Sequence, residues 1–358
     1  MDNIFYIEKG TIILVVFSIT MLIALYSTFA ERVLAGYFQD RLGPNRAGPG
    51  GFMQPLADGL KMFTKEDFIP DTPNRLLFIV GPGLAMTTAL MTSVVIPWGR
   101  TLTIAGYQVV LQAADINIAI LYVFGVISIG VYGIMIGGWA SNNKFSLLGA
   151  VRASSQMISY EVAMGLSIIA VLMMSGSLSL SAIAEKQHGF IDWDWHGAKF
   201  CYPSWYVFKQ PIAFLIFLIC AFAETNRTPF DLPECESELV GGYHTEYSSM
   251  KLGFFLFAEY VNMFISSAII SIVFFGGYNY PGMDWMSAHA GENTSVILGV
   301  LVLFAKIFFF IFFYMWVRWT VPRFRYDQLM NLGWKILMPL AIVNIMITGL
   351  AILATTPK

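Results

Sequence analysis

Glu224, Asp231, Glu234, Glu236 and Glu238 share the short stretch "AETNRTPFDLPECESELV", Ala223 to Val240, with Arg227 as its one cation. The stretch lies directly between two runs apolar enough to enter a bilayer. Pro229 and Pro233 forbid a continuous helix through it. Because it starts at the end of a span, part of it is expected at membrane depth, where non-helical backbone survives only inside protein or along a wet cavity. Carboxylates crowded there repel one another and are poorly solvated. Both effects raise pKa, so some of these acids should hold protons near neutral pH and titrate as a set. That chemistry is proton storage and exchange. The plain alternative is a solvated charge run.

Three further ionisable groups fall inside apolar runs: Glu161, Glu259 and Lys306. An ionisable group in hydrocarbon costs roughly 2.5 to 3.5 kcal/mol on insertion scales, so each is expected to face the bundle or a wet cavity with a partner. Lys306 and Glu259, on consecutive spans, form a reasonable pair, either structural or part of a proton path. Glu161 is shallower and could instead reach the interface by snorkelling.

The elements that must hold these groups follow from composition: 57% hydrophobic and only 12% charged residues describe an integral membrane protein. Runs near the length needed to cross hydrocarbon cover Thr11 to Ala30, Leu76 to Trp98, Ile116 to Ala140, Met157 to Met174, Leu252 to Phe275, Val296 to Val317 and Ile336 to Ala354. A shorter eighth run, Tyr206 to Ala223, begins with Lys209, Gln210 and Pro211. The fold expected is all-α, one polytopic domain over residues 1–358 with about eight spans. The first run is too long for a removable signal peptide and is preceded by Asp2 and Glu8. Of the 21 lysines and arginines, fourteen lie in loops after odd-numbered spans, six on the other side, and Lys306 within a span. The positive-inside rule then sets both termini outside and the acidic stretch on the cytoplasmic face. Three cysteines without a CxxC pair and four scattered histidines support neither a metal site nor a disulfide framework, and no nucleic-acid footprint is present.

After the first span, the loop rich in glycine and proline lacks the lysine and serine or threonine of a P-loop. Beyond it, Phe52, Leu56, Leu60 and Phe63 recur at helical spacing, with Asp58, Lys61 and Lys65 on the other side. This predicts a short amphipathic helix in the interface plane, resting on headgroups or lining a cavity for a lipid-like molecule. On the opposite face, Trp193, Trp195, Tyr202 and Trp205 fit an aromatic belt.

Glu31-Arg32, Gly36, Gln39, Arg41 and "GPNR" after the first span, with "ETNRTPFDLPECESELV" and "EYSSMK" before the sixth, resemble one membrane family of bacterial complex I, the proton-pumping NADH:quinone oxidoreductase. The family is the counterpart of mitochondrial NADH dehydrogenase subunit 1. The resemblance covers nearly the whole chain, with Cys235 where glycine is usual and Thr228 where alanine is common. It implies a protein at the heel of the complex, in the bacterial inner membrane, that docks a hydrophilic arm and contacts small membrane subunits. The substrate would be a quinone, ubiquinone or menaquinone. Glu31, Arg32, Arg41 and Arg227 would sit in or beside the quinone chamber, with Phe52, Leu56, Leu60 and Phe63 lining its mouth. Glu224, Asp231, Glu234, Glu236 and Glu238 would form an acidic funnel, continued by Glu161, Glu259 and Lys306. Flavin and iron-sulfur clusters would belong to the arm, so this chain carries no redox centre. A related alternative is the membrane component of an energy-converting hydrogenase. A secondary ion transporter lacks support from inverted repeats.

Overall fold

The computed structural model describes residues 2–70, 74–104, 106–195, 198–232 and 239–355. Glu234, Glu236 and Glu238 lie outside the described residues. Helix follows helix: α1 (Asp2–Phe38), α2 (Gln54–Thr64), α3 (Arg75–Thr92), α4 (Ala119–Ala140), α5 (Lys144–Ser175), α6 (Leu180–Glu185), α7 (Tyr206–Lys209), α8 (Pro211–Glu224), α9 (Ser249–Phe275), α10 (Met283–Ala290), α11 (Glu292–Thr320), α12 (Tyr326–Asn331) and α13 (Met338–Thr355). A π-helical turn, Leu332–Leu337, joins α12 to α13, so that Tyr326–Thr355 crosses as one rod. Among the described residues, seven helices are long and apolar enough to span a membrane.

The eighth run is a broken element. Pro211 has no N–H to donate and disfavours helical backbone at the residue before it, and Gln210 accordingly sits at φ −134°, ψ 58°. That splits the run into α7 and α8. α8 alone, 14 residues, reaches about 21 Å of the ~30 Å hydrocarbon thickness. The Gln210 side chain ties the break to α13, donating to Thr348 Oγ1 at 2.9 Å and accepting from Asn344 Nδ2 at 3.0 Å.

Two short antiparallel hairpins decorate one end of the bundle: β1 (Thr101–Ile104) with β2 (Tyr107–Val110), and β3 (Phe190–Trp195) with β4 (Ala198–Pro203). The opposite end carries α2 and the acidic loop. α9 is the most buried of the seven long helices, packed against α1, α3 and α11. α3 and α4 approach backbone to backbone. A Cβ on Gly81 would lie 2.9 Å from Gly137 Cα, and one on Gly133 would lie 2.9 Å from Ala85 N. Gly81 and Ala85 on one helix thus face Gly133 and Gly137 on the other, the small-xxx-small pattern by which helices associate where hydrophobicity gives no drive. Gly133→Leu is therefore expected to force the pair apart, at about 1–3 kcal/mol for overpacking. Reduced yield and a lowered unfolding temperature of the extracted protein would check this.

Candidate functional site

Three elements meet around one carboxylate. Glu31, near the end of α1 and 5% exposed, lies between two guanidinium groups. Arg227 Nη1 donates to its Oε2 at 2.9 Å, and Arg318 Nη1, from the end of α11, meets its Oε1 at 2.5 Å. The Arg227 guanidinium also lies 4.1 Å over the Tyr260 ring of α9. Burial opposes the charged form of Arg227, but Glu31, with Tyr260 and Glu259 behind it, outweighs that and holds its pKa above the ordinary arginine value. The cluster is a fixed charge lock between α1, the loop after α8, and α11.

Residues 225–232 of this loop are held in place as buried protein. Gln156 of α5 donates through Nε2 to Ala223 O, in the last turn of α8, at 2.9 Å and to Phe230 O of the loop at 2.7 Å, which pins the loop to the helix end. Asp231, 5% exposed, pairs with Arg323 at 3.0 Å. Asn226 takes a positive φ of 49°, turning the chain immediately after α8.

Beside this lock is a cavity of about 60 Å³, room for on the order of four waters. Glu224 and Glu259 line it, with Thr225, Asn226, Tyr243, Asn262, Ser266, Thr88 and Thr92 among apolar neighbours. Glu259 accepts from the Tyr243 hydroxyl at 3.0 Å. Glu224 is 7% exposed, and its Oε2 has no hydrogen-bond partner among the described residues. Glu161 on α5 accepts from Ser128 Oγ of α4 and is near enough to Glu224 for their charges to interact. Glu224 and Glu259 thus share one cavity wall, with Glu161 near Glu224 but outside the lining.

Other expected site residues lie apart from that cavity. Arg32 bridges α1 to Asp58 of α2 at 2.5 Å, and Arg41 Nε donates to Gln39 at 2.6 Å on the exposed surface. Phe52 stacks on Tyr26 with ring centroids 4.7 Å apart. α2 rests on the protein through Pro55 and the Met62 carbonyl, which accepts from Ser249 Oγ, while Leu56, Leu60 and Phe63 stay exposed at its apolar edge. The stripe expected from the sequence is present and open.

The pairing of Lys306 with Glu259 does not form. Lys306 Nζ donates to the carbonyls of Phe275, Gly277 and Asn279 at 2.7, 2.7 and 2.8 Å, which uses all three donors of an ammonium, and it lies 4.7 Å over the Trp205 ring. Phe275 ends α9 sixteen residues past Glu259, about 24 Å along the helix axis. A cation at a helix C-terminus is where the macrodipole favours one, and neighbouring spans in sequence need not align two charges in depth. Lys306→Met should orphan three buried carbonyls, at about 1–3 kcal/mol each, and lower the thermal stability of the extracted protein. Proton stoichiometry should not change. A calorimetric scan paired with a pumping assay checks both.

A model of the NADH dehydrogenase family matches residues 11–349. The chain belongs to that family. It is 68% identical over 353 residues to an NADH-quinone oxidoreductase subunit of Flavobacterium johnsoniae, covering 99% of this chain and 97% of that one. It is 61% identical over 349 residues to an NADH-quinone oxidoreductase subunit of Cytophaga hutchinsonii, covering 98% of each. NADH-quinone oxidoreductase subunit 8 of Rhodothermus marinus is 47% identical over 336 residues, covering 93% of each. In this member of the NADH dehydrogenase family three residues of the site were not singled out from the sequence: Arg318, which pairs with Glu31, Ser128, which donates to Glu161, and Gln156, which holds backbone carbonyls of the loop. Arg318 ends an apolar run and reads as a boundary charge; Gln156 falls just before the hydropathic window beginning at Met157.

Proposed function

We propose that this chain is a membrane subunit of an NADH-quinone oxidoreductase that forms part of the quinone chamber and couples quinone reduction to proton translocation. The observation that supports the coupling is that Glu224 and Glu259 line one cavity with room for water, with Glu161 near Glu224, next to the Glu31–Arg227–Arg318 lock. Asp231, Glu234, Glu236 and Glu238 complete the acid set in this proposal. Reduction of a quinone beside the lock draws protons or negative charge toward it. In low dielectric a charge change at short range moves a neighbouring pKa by whole units, which shifts proton occupancy at the cavity. Lys306 is read here as the anchor of α9 rather than as a relay station.

For the substrate, the open edge of Leu56, Leu60 and Phe63, with Phe52 beside it, suits an isoprenoid tail once arm subunits close over it. In this proposal flavin and iron-sulfur chemistry belongs to those partners. Photolabelling the intact complex with a quinone analogue tests the chamber. Tagged peptides are expected across residues 52–63, and tags confined to the hairpin end would contradict it.

A further inference from the structure

The segment "EYSSMK", Glu246 to Lys251, leads into α9, and its serines forgo the roles that a helix start offers them. Ser248 is the N-cap residue, where a serine hydroxyl ordinarily accepts from a backbone N–H of the first turn. Its side chain makes no such bond. Instead Ser248 Oγ accepts from Phe68 N at 3.1 Å and donates to Glu66 O at 3.3 Å. Ser249 opens the helix at a φ of 55°, in the left-handed region that a serine rarely takes. From there its Oγ reaches Met62 O, in the last turn of α2, at 3.0 Å. Backbone of this kind persists only where its surroundings over-determine it, and it gathers at clamps and functional sites. Lys251 Nζ completes the set as an ion pair with Asp67, 2.9 Å away. All three side chains thus hold residues 62–68, the end of α2 and the segment after it.

The rest of the segment is anchored in the bundle. Glu246 accepts from Asn143 Nδ2, at the start of α5, at 2.6 Å. Tyr247 donates to Gly137 O of α4 at 3.2 Å and stacks on Phe78 of α3, with ring centroids 4.1 Å apart. One end of α2 is therefore tied to the most buried of the long helices, and Asp58 ties its other half to Arg32 of α1. Between these ties lies the exposed apolar edge of Leu56, Leu60 and Phe63. We propose that Ser248, Ser249 and Lys251 are positioning residues for the quinone tail: they strap α2 to α9 and so keep that edge at the mouth of the chamber. The proposal rests on the reading of the edge as the quinone mouth. A long isoprenoid tail needs the edge in place, so its apparent affinity falls with the fraction of molecules in which α2 is seated. A quinone too short to reach the edge is indifferent to the strap.

The test compares KM and kcat of the intact complex for a long-tailed quinone and for one carrying a single isoprene unit. Ser249→Gly suits the left-handed backbone and removes only the hydroxyl. It should raise KM for the long-tailed quinone roughly two- to fivefold, the population ratio that one hydrogen bond sustains. The effect should fall on KM rather than kcat and be absent with the short-tailed quinone. Lys251→Met should act in the same direction. Ser248→Ala frees the Phe68 N–H, so hydrogen exchange across residues 62–68 of the intact complex should quicken. A long-tail KM unchanged in all three variants would overturn the proposal, as would equal changes for the two quinones. Photolabelling of the parent complex with a long-tailed quinone analogue separates the two possible failures. Tags on residues 52–63 together with equal KM changes would remove the strap's role alone, whereas tags confined to the hairpin end would remove the mouth and the strap's role with it.

Discussion

Glu31→Gln is expected to reduce NADH-quinone turnover of the intact complex at least about tenfold, the ratio that about 1.4 kcal/mol produces. The substitution keeps the shape of the side chain and removes the anion between Arg227 and Arg318, which then face each other across a neutral amide. Removing one partner of a buried pair costs roughly 3–5 kcal/mol, mostly because the other charge is left unmatched. Electron transfer from NADH to a hydrophilic acceptor should persist, because it takes place in the partner subunits under the proposed function. The double variant Glu31→Gln with Arg227→Met should lose less than the sum of the singles, since the second change removes one uncompensated cation. Additive losses would show that Glu31 and Arg227 act separately.

Glu224→Gln should leave assembly intact and cut coupled turnover about a hundredfold, the low end of the roughly 10²–10⁴-fold that a positioned acid or base contributes. Glu224 closes α8, lines the cavity with Glu259, and has a buried oxygen unpartnered among the described residues. A glutamine there fills the same space but cannot exchange a proton. Glu224→Asp should retain part of the activity, because the titrating group survives with a shorter reach. Turnover and protons moved per electron, measured in sealed vesicles, decide the matter: normal values for the glutamine variant would remove Glu224 from the path.

Much of this arrangement is legible in the chain itself. Hydropathy finds the long helices because bilayer thickness fixes their length, and isolated charges inside them stand out against the apolar background. Helix ends are less legible. α1 runs on through Glu31 to Phe38, and α5 begins at Lys144 rather than near Met157, because charged and polar residues end a hydropathy window without ending a helix. The break at Gln210 is written in the following proline. Partner choice is not written anywhere local: Lys306 takes three carbonyls at the end of α9 instead of Glu259, and Glu31 takes two arginines from distant segments. Such choices depend on relative depth and rotation of helices, which periodicity leaves open. The two hairpins show in the sequence only as short aromatic loops.

The most direct test of proton coupling through these acids is infrared difference spectroscopy of the intact complex on quinone reduction. A change in carboxyl absorption that shifts in heavy water and is diminished by Glu224→Gln is the predicted result. A spectrum with no carboxyl change, or one identical in the variant, would contradict it.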